Sequence, residues 1–540
     1  MSLLPRSIVT ARAASLAVLA AALIVGTIVR WTAPRQVADL DPRPDALEYE
    51  EGARNLVRGE GYCLIVEGKK YPPRYPFGFS LLLAPFLAAS GDAPGTGIRA
   101  VLACAWVAIV ATWWLGWLTG GPWSAAAAAL LLSLSGLHVA MSRAVMSDAP
   151  SAAITAALGA ASIVALGRST PGAPPGRGEL LRWLALGVAA ALGESMRATN
   201  LLLLAPIACL LALERGCARR SRIARFAALS SGVMLGVLPM LLYNHARFGS
   251  PFATGYGFWV PARYFDVKYV WAPAFQAVDR ADEANLPFYA SALFGDGTMY
   301  PRPIAILIVL GAALSLARSS QSRRVALVGL GFGAALLVVH LVFFWQSERF
   351  LLPALPFLLA IASSTLGSGS PAALRLPASV LLLWGLSSLT ANPDLRVSVA
   401  QGEEVERLRG IDRMVEANAA VIVDSNDFLF DRVLRNSRDR LWLPAHASLY
   451  GAEIRRRGLK PYATAEGQEN WVRELGAGPS AAGATIAQAI REGRPVYFAG
   501  TASNAKLAAW LAREFQTRLV GSPGGADLLR VEPSSPAQPP

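Results

Sequence analysis

Acidic and arginine side chains recur at short turns between long apolar stretches of this sequence. Arg143 and Asp148 occur in SRAVMSDAP, Arg197 in GESMRATN, and Glu348 with Arg349 in WQSERFLLPALP. An arginine binds phosphate through a planar fork that is always charged, and a carboxylate can take a proton from a hydroxyl group. These residue types therefore suit a reaction in which a hydroxyl attacks a centre whose leaving group is a phosphate.

A long charged segment, residues 41–85, follows the first apolar stretch. Its candidate functional residues are Asp45, Glu48, Tyr49, Arg74 and Tyr75, the last two in a Tyr-Pro-Pro-Arg-Tyr-Pro turn. The apolar residues 77–89 come next, and thirteen residues are too few to cross a bilayer, which takes about 20. We expect this piece to form an interfacial or re-entrant helix.

The composition is that of a membrane protein. The chain has 540 residues, of which 54% are hydrophobic and 16% are charged, whereas soluble domains carry about 25% charged residues. The net charge of +13 comes from basic residues clustered in a few short loops, which indicates membrane topology and no nucleic-acid partner. The four cysteines are scattered without a C-x-x-C pair, so neither a disulfide framework nor a zinc site is predicted.

Eleven apolar segments are candidate transmembrane helices. They cover residues 11–30, 97–119, 122–140, 148–166, 180–196, 198–213, 226–244, 301–317, 325–346, 350–366 and 376–391. The first has no evident cleavage site and is interpreted as an uncleaved signal-anchor. With the N-terminus in the cytoplasm, every longer cytoplasmic loop is net basic, as the positive-inside rule requires. These loops are residues 167–179, 214–225, 318–324 and 367–375.

The sequence changes character after residue 395. From residue 396 it is charged, and helix-like segments alternate with strand-like ones, which predicts a small extracytoplasmic α/β domain of residues 396–530. Residues 531–540, rich in Pro and Ser, predict a disordered tail. The expected fold is therefore mainly α, a polytopic membrane domain of residues 1–395 with a small α/β domain attached.

The acidic and arginine turns all fall on the extracytoplasmic side of this topology. A loop of residues 245–300 on the same side begins with His245 and carries fourteen aromatic residues in fifty-six. These aromatics form either an interfacial belt or a platform for sugar rings. Because ionisable residues near membrane segments are functional candidates by default, the pattern predicts one polar, charge-mixed cavity at the extracytoplasmic surface.

Five short motifs occur in order along residues 1–390. They are Asp45-x-x-x-Tyr49-x-x-x-Ala53 followed by Gly59 and Gly61, Tyr71-Pro-Pro-Arg-Tyr-Pro76 with residues 81–85, Ser147-Asp148, residues 243–256, and Arg349-Phe-Leu-Leu-Pro353. In these motifs and in their register with the topology, the chain resembles the GT-C membrane glycosyltransferases of the protein O-mannosyltransferase and lipid A aminoarabinose-transferase type.

The resemblance implies an inverting transfer of a sugar from a polyprenyl-phosphate donor to a cell-envelope acceptor at the bacterial inner membrane. It implies that Asp45 is the catalytic base and that Asp148 orients the acceptor or a metal. Many relatives have Asp-Glu at the first motif, whereas this chain has Asp45-Ala46 with its next acid at Glu48, so Glu48 is the alternative base. A divalent metal is compatible with two acids, although no ligand cluster demands one. Candidate substrate-binding residues are Glu48, Tyr49, Arg74, Tyr75, Arg143, Arg197, His245, Glu348 and Arg349, with Arg74, Arg197 and Arg349 assigned to the donor phosphate.

Several of these residues also have plain structural roles open to them. Asp45 and Asp148 are also suited to capping helices, the arginines to snorkelling toward lipid headgroups, and His245 to a hydrogen-bonded position at the interface. The chain is alternatively a transporter or flippase of a lipid-linked sugar, or an anchoring protein. Transporters usually place polar groups near mid-membrane, whereas these helix interiors are mainly Ala, Leu, Val and Gly, which favours the enzyme.

Overall fold

The chain divides into two compact units. The first comprises Met1–Ala38, Gly52–Ala253 and Arg263–Arg396, and the second comprises Asp39–Glu51, Thr254–Ala262 and Val397–Pro540. The structure is a computed structural model that describes residues 6–31, 44–66, 69–90, 96–168, 174–214, 218–256, 265–272, 284–295, 299–318, 320–367, 370–391, 407, 409–423, 441–444, 486, 489–500 and 505–533. Most of the predicted tail, from residue 534 onward, lies outside these residues.

Helices make up most of the described first unit. The earlier ones are α1 (Arg6–Trp31), α2 (Pro44–Val57, which begins in the second unit), α3 (Gly78–Ser90), α4 (Thr96–Gly120), α5 (Pro122–Leu134), α6 (Gly136–Ser142), α7 (Asp148–Gly167) and α8 (Arg177–Met196). The later ones are α9 (Leu204–Leu213), α10 (Arg219–Phe248), α11 (Asn285–Ala290), α12 (Arg302–Ala317), α13 (Ser320–Leu341), α14 (Leu355–Ser363) and α15 (Ala372–Ala391). Short 3₁₀ helices lie at Ala198–Leu203, Val267–Val270, Glu348–Ala354 and Ser364–Leu366, and a π-helical turn at Ser291–Gly295.

Several helices are long and apolar enough to cross a membrane, so the chain is a multi-pass membrane protein. Among the described residues there are six, namely Thr10–Arg30, Thr96–Gly120, Asp148–Gly167, Arg219–Phe248, Ser320–Leu341 and Glu348–Leu366. The bent pair α5 and α6 makes a seventh candidate. The predicted number of eleven is not confirmed, because other apolar helices are only 10–17 residues long and α8 carries four charged residues.

The short helix α3 matches the thirteen-residue apolar segment that the sequence marks as too short to span. It is preceded by a small hairpin of β1 (Leu64–Val66) and β2 (Lys69–Tyr71), which pair antiparallel. Glu60 forms a salt bridge with Lys70 beside this hairpin. The position of α3 at a membrane interface stays a prediction.

Helices α8 and α10 pack closely through glycines. A Cβ atom at Gly232 would overlap the carbonyl oxygen of Leu184, and one at Gly187 would overlap that of Leu229. Small residues let helix backbones approach closely in a membrane, where apolar lipid gives little drive for helix association. This contact fixes α8, whose C-terminal end carries one of the candidate arginines.

A buried ion cluster joins helices at the opposite, N-terminal end of α8. Arg225 of α10 is fully buried, with Nε 2.7 Å from Glu179 Oε1 and Nη1 3.5 Å from Glu214 Oε2. Arg324 Nη2 donates to Glu214 Oε1 at 3.2 Å. The two acids offset the buried positive charge, which would otherwise be costly in an apolar surrounding.

The described part of the second unit contains a five-stranded sheet in the order β4-β3-β5-β7-β6. Its strands are β3 (Ala420–Val423), β4 (Leu441–Pro444), β5 (Val496–Gly500), β6 (Phe515–Gly521) and β7 (Asp527–Pro533), and α16 (Ala505–Glu514) precedes β6. β3 is parallel to β4 and β5, whereas β7 is antiparallel to β5 and β6. The sequence predicts strands at residues 420–424, 495–499 and 528–531 and a helix at residues 505–515, which match β3, β5, β7 and α16, but it does not predict β4 and β6. The placement of this unit outside the membrane stays a prediction.

Candidate active site

Asp148, Arg197 and Arg349 lie together in the helical unit. Asp148 is buried, and its Oδ1 accepts a hydrogen bond from Arg197 Nη1. Arg349 Nη1 lies 4.0 Å from the other carboxylate oxygen, Oδ2, and 4.0 Å from the sulfur of Met146. Two guanidinium groups around one carboxylate leave a net positive charge, which suits an anionic ligand such as a phosphate.

The ring of Phe350 supports both arginines. The guanidinium carbon of Arg197 lies 5.2 Å from the ring centroid and that of Arg349 lies 5.5 Å away. Cation–π attraction of this kind contributes about 0.5–2 kcal/mol, more where water is excluded. His340 stacks on the same ring at 4.7 Å with an interplanar angle of 20°, and its Nδ1 donates to Leu336 O at 2.8 Å. The ring therefore holds the two guanidinium planes in place before any ligand binds.

Three chain segments meet at this cluster, and buried hydrogen bonds tie them together. Asp148 is the first residue of α7, after Ser147 at the N-cap, where the helix dipole favours a negative charge. Arg197 follows the last residue of α8 with an extended backbone. The Asn200 side-chain amide donates to Gly193 O at 2.9 Å and to Ser151 Oγ at 3.2 Å, which fixes the turn after Arg197 against α7.

The segment that carries Arg349 is a 3₁₀ helix, Glu348–Ala354, that contains Pro353. Proline lacks the N–H that an α-helix interior requires. Thr155 Oγ1 of α7 donates to Pro353 O at 3.1 Å, so this helix is also anchored to α7. Asp148 is thus the first residue of α7, and hydrogen bonds to α7 anchor the segments that carry Arg197 and Arg349.

A short helix from the aromatic loop seals the end of α13 beside the cluster. Asn285 is fully buried, and its amide nitrogen lies within 3.1 Å of the carbonyl oxygens of His340, Leu341 and Phe343. Carbonyls at a helix C-terminus lack intrahelical partners, and this side chain supplies one. Tyr289 donates to Ser347 O at 3.4 Å, and burial raises the pKa of its hydroxyl, which keeps that group protonated and able to donate.

An aromatic cluster joins two of the five sequence motifs. Tyr62, Phe77 and Tyr243 have ring centroids 5.6–6.2 Å apart, and the Tyr62 hydroxyl donates to Tyr75 O at 3.0 Å. At Gly78, where α3 begins, a Cβ atom would overlap Ser195 at the end of α8. The residues just after the Tyr-Pro-Pro-Arg-Tyr-Pro turn therefore pack against α8 and α10. The contact on α8 is Ser195, two residues before Arg197 in the sequence.

Three of the other predicted residues lie on α2. Asp45, half-buried, is in the first turn of α2, and Glu48 and Tyr49 are buried further along it. These three belong to the second unit.

The remaining candidates lie at turns and helix ends. Arg74 lies over the ring of Tyr75 at 4.7 Å. Arg143 follows the last residue of α6, and burial lowers the pKa of its guanidinium. His245 is exposed in the last turn of α10, and Glu348 is the first residue of its 3₁₀ helix.

Solved structures share this architecture along nearly the whole chain. The crystal structure of ArnT from Cupriavidus metallidurans in the apo state matches with a TM-score of 0.58 at 14% identity, over 95% of this chain and 97% of that chain. The chain has a GT-C fold. ArnT bound to undecaprenyl phosphate matches with a TM-score of 0.55 at 13% identity, over 97% of this chain and 99% of that chain.

Other comparisons agree with the GT-C fold. Archaeal oligosaccharyltransferase AglB from Archaeoglobus fulgidus, in complex with an inhibitory peptide and a dolichol-phosphate, matches with a TM-score of 0.55 at 11% identity, over 97% of this chain and 75% of that chain. The family model for dolichyl-phosphate-mannose-protein mannosyltransferase matches residues 88–249. No curated protein sequence matches the chain significantly. The resemblance predicted from the five motifs is confirmed.

Within this GT-C fold, several residues at or near the cluster were not predicted from the sequence. His340 and Asn285 lie outside the five motifs, and Phe350 lies within the Arg349-Phe-Leu-Leu-Pro353 motif but had no role assigned to it. Arg30 and His138 are buried in membrane helices, and the rule that marks ionisable residues in such helices was sufficient to find them.

The described residues hold no group of three or more His, Cys, Asp or Glu side chains that could bind a metal ion. At Asp148, both carboxylate oxygens face a guanidinium. Two positive charges beside the carboxylate disfavour a divalent cation there. The geometry is thus better suited to an anion than to a metal.

Proposed function

We propose that this chain is an inverting glycosyltransferase that moves a sugar from a polyprenyl-phosphate donor to a hydroxyl of a cell-envelope lipid, glycan or protein. The observation that carries the proposal is the buried Asp148 carboxylate held between Arg197 and Arg349. This arrangement presents two preoriented guanidinium groups, both of them partly exposed. The ArnT and AglB structures of the same fold contain undecaprenyl phosphate and dolichol-phosphate respectively, which supports a lipid phosphate as the ligand.

In this proposal the two arginines bind the donor phosphate, and Asp148 holds Arg197 in position. As the bond between the sugar's anomeric carbon and the phosphate oxygen breaks, negative charge accumulates on the phosphate. Guanidinium groups that are already in place stabilise this charge without reorganisation, and such stabilisation often contributes more to the rate of an enzyme than any other single effect. Asp148 is then an orienting group, because its carboxylate is already engaged by arginine.

The catalytic base in this proposal is Asp45, with Glu48 as the alternative. The acceptor oxygen attacks the anomeric carbon from the face opposite the phosphate, which inverts the configuration. Its proton passes to the carboxylate, and polyprenyl phosphate leaves with the electron pair of the broken bond. General-base catalysis of this kind contributes roughly 10²–10⁴-fold.

We place the reaction at the extracytoplasmic face of the bacterial inner membrane, with the N-terminus in the cytoplasm. The net basic loops predicted on the cytoplasmic side support this orientation. The C-terminal α/β unit is then extracytoplasmic.

The test is sugar transfer by the purified full chain in lipid nanodiscs, from a panel of labelled polyprenyl-phosphate sugars to extracted envelope acceptors. Asp45→Asn should lower kcat by about 10²–10⁴-fold, whereas Glu60→Gln, an exposed acid of the same loop, should not lower it. Undiminished transfer by Asp45→Asn would exclude Asp45 as the base, and a larger loss in Glu48→Gln would assign that role to Glu48. Absence of transfer, together with movement of the labelled lipid between leaflets, would support a transporter.

A further inference from the structure

A buried guanidinium lies at the bend between α5 and α6. Arg30, near the end of α1, is 4% exposed, and among the described residues its hydrogen-bond acceptors are all neutral. Nη1 donates to Gly26 O at 2.8 Å and to Ser133 O at 3.0 Å, and Nη2 donates to His138 Nδ1 at 2.8 Å. Because a guanidinium can only donate, His138 accepts through Nδ1 and carries its own proton on Nε2.

The bend creates the acceptors that Arg30 satisfies. Ser135 has an extended backbone, with φ −60° and ψ 118°, and the two helices differ in direction by 59°. The break removes the helical donor that would otherwise reach Ser133 O, and an unpaired buried carbonyl costs about 1–3 kcal/mol. The planar fork of Arg30 spans both sides of the break, with Ser133 before it and His138 after it.

The direction of α6 is transmitted to the candidate active site. α6 ends at Ser142 and packs against the 3₁₀ helix of Arg349. The chain then leads to Met146, which Arg349 contacts, and to Asp148. A seven-residue helix is about 10 Å long, so a change of about 10° at the bend moves its far end by roughly 2 Å. A misplacement of about 1 Å can cost 10²-fold in rate.

We propose that Arg30 is a positioning residue, whose fork across the bend at Ser135 sets the direction of α6 and thereby the place of the turn before Asp148. Its kinetic consequence rests on the proposed glycosyltransferase function. The shape of the fork carries the effect, so the positive charge alone does not replace it. Lysine lacks the planar set of donors that engages several acceptors at fixed angles.

The test uses paired variants of the full chain in nanodiscs. Arg30→Lys keeps the charge and loses the fork, whereas Arg12→Gln changes an exposed arginine of the same helix, about 27 Å away along its axis. His138→Asn keeps an acceptor near the position of Nδ1, and His138→Leu removes it. The measurements are kcat, the KM for the lipid donor, and hydrogen exchange of the amides in residues 133–147.

Arg30→Lys and His138→Leu should lower kcat by about 10²-fold, change the donor KM by less than about threefold, and speed exchange in residues 133–147 alone. His138→Asn should recover most of the rate, and Arg12→Gln should match the wild type. Equal rates in the two His138 variants, unchanged exchange in Arg30→Lys, or faster exchange throughout the protein would each overturn the proposal. If the wild type transfers no sugar, the glycosyltransferase proposal fails, and the exchange pattern alone still decides the role of Arg30.

Discussion

Replacing Asp148 by asparagine should destabilise the helical unit far more than removal of a surface carboxylate. The Asp148 side chain is 1% exposed, and its partners Arg197 and Arg349 are 14% and 21% exposed. Removing one partner of a buried ion pair costs about 3–5 kcal/mol, because the remaining charge stays buried without compensation. Both arginines keep some contact with solvent, so we expect the lower end, about 3 kcal/mol.

The assay is equilibrium unfolding of the purified protein in mixed micelles as the denaturing detergent increases. The control is Asp266→Asn. Asp266 lies 3.9 Å from an exposed Lys268 and accepts a hydrogen bond from the backbone N–H of the same residue. Asparagine retains that acceptor and removes the charge that faces the exposed Lys268, so we expect a cost below about 1 kcal/mol.

Two further measurements test whether Asp148 holds the two arginines in place. The double variant Asp148→Asn with Arg197→Met should lose about 0.5–3 kcal/mol less unfolding free energy than the sum of the two single losses. In the double variant neither member of this ion pair keeps a charge that faces a missing partner. Polyprenyl phosphate should stabilise Asp148→Asn more than the wild type, because its anion replaces the lost carboxylate charge. Equal costs for Asp148→Asn and Asp266→Asn, or strict additivity of the double variant, would show that the buried cluster does not hold these arginines.

Three other predictions concern the rest of the helical unit. Arg225→Met removes the buried guanidinium from beside the partly buried Glu179 and Glu214, and because Glu214 keeps Arg324 the free energy of unfolding should fall by up to about 3 kcal/mol in the same titration; no change would contradict the ion cluster. Gly232→Ala should destabilise, because its methyl group meets the backbone of α8, whereas Gly178→Ala, with nothing within 4 Å of the new Cβ atom, should be neutral or stabilising. Equal effects of these two changes on the unfolding midpoint would argue against the glycine contact. An impermeant maleimide should label Arg58→Cys, at an exposed site, in spheroplasts and Arg182→Cys only after lysis; the reverse pattern would invert the proposed topology.

The sequence marks the three residues of the charged cluster as candidates, among others, but not their pairing. Asp148, Arg197 and Arg349 stand out because a charge beside an apolar span is costly and is rarely retained without a role. Which arginine binds which oxygen depends on Asn200 and Thr155, whose hydrogen bonds join segments distant in sequence. A single sequence gives no signal for such contacts.

The number of spans and the helix breaks were the least predictable features of the fold. Ser133, Ser135-Gly136 and His138 interrupt the apolar run of residues 122–140, and a Ser-Gly pair is a turn signal. The partner that stabilises this break, Arg30, is about 100 residues away in sequence, which the run itself does not indicate. Residues 198–203 and 348–354 are 3₁₀ helices, which shortens the α-helices that follow them. Strand β6 (Phe515–Gly521) follows directly on helix α16 (Ala505–Glu514), so no turn residue marks where the helix ends. Strand β4 is a four-residue apolar run that ends in Pro444.

The glycine contact between α8 and α10 also governs rotation. An α-helix advances by about 100° per residue, so turning α8 by one position would bring a side chain to the place of Gly187, against the backbone of Leu229. Helix α8 is therefore prevented from rolling about its own axis. Arg197 lies ten residues after Gly187, about 15 Å along that axis. Because α8 cannot rotate, the Arg197 side chain is directed toward Asp148. A contact between two small residues of α8 and α10 thus sets the direction in which the arginine after α8 points.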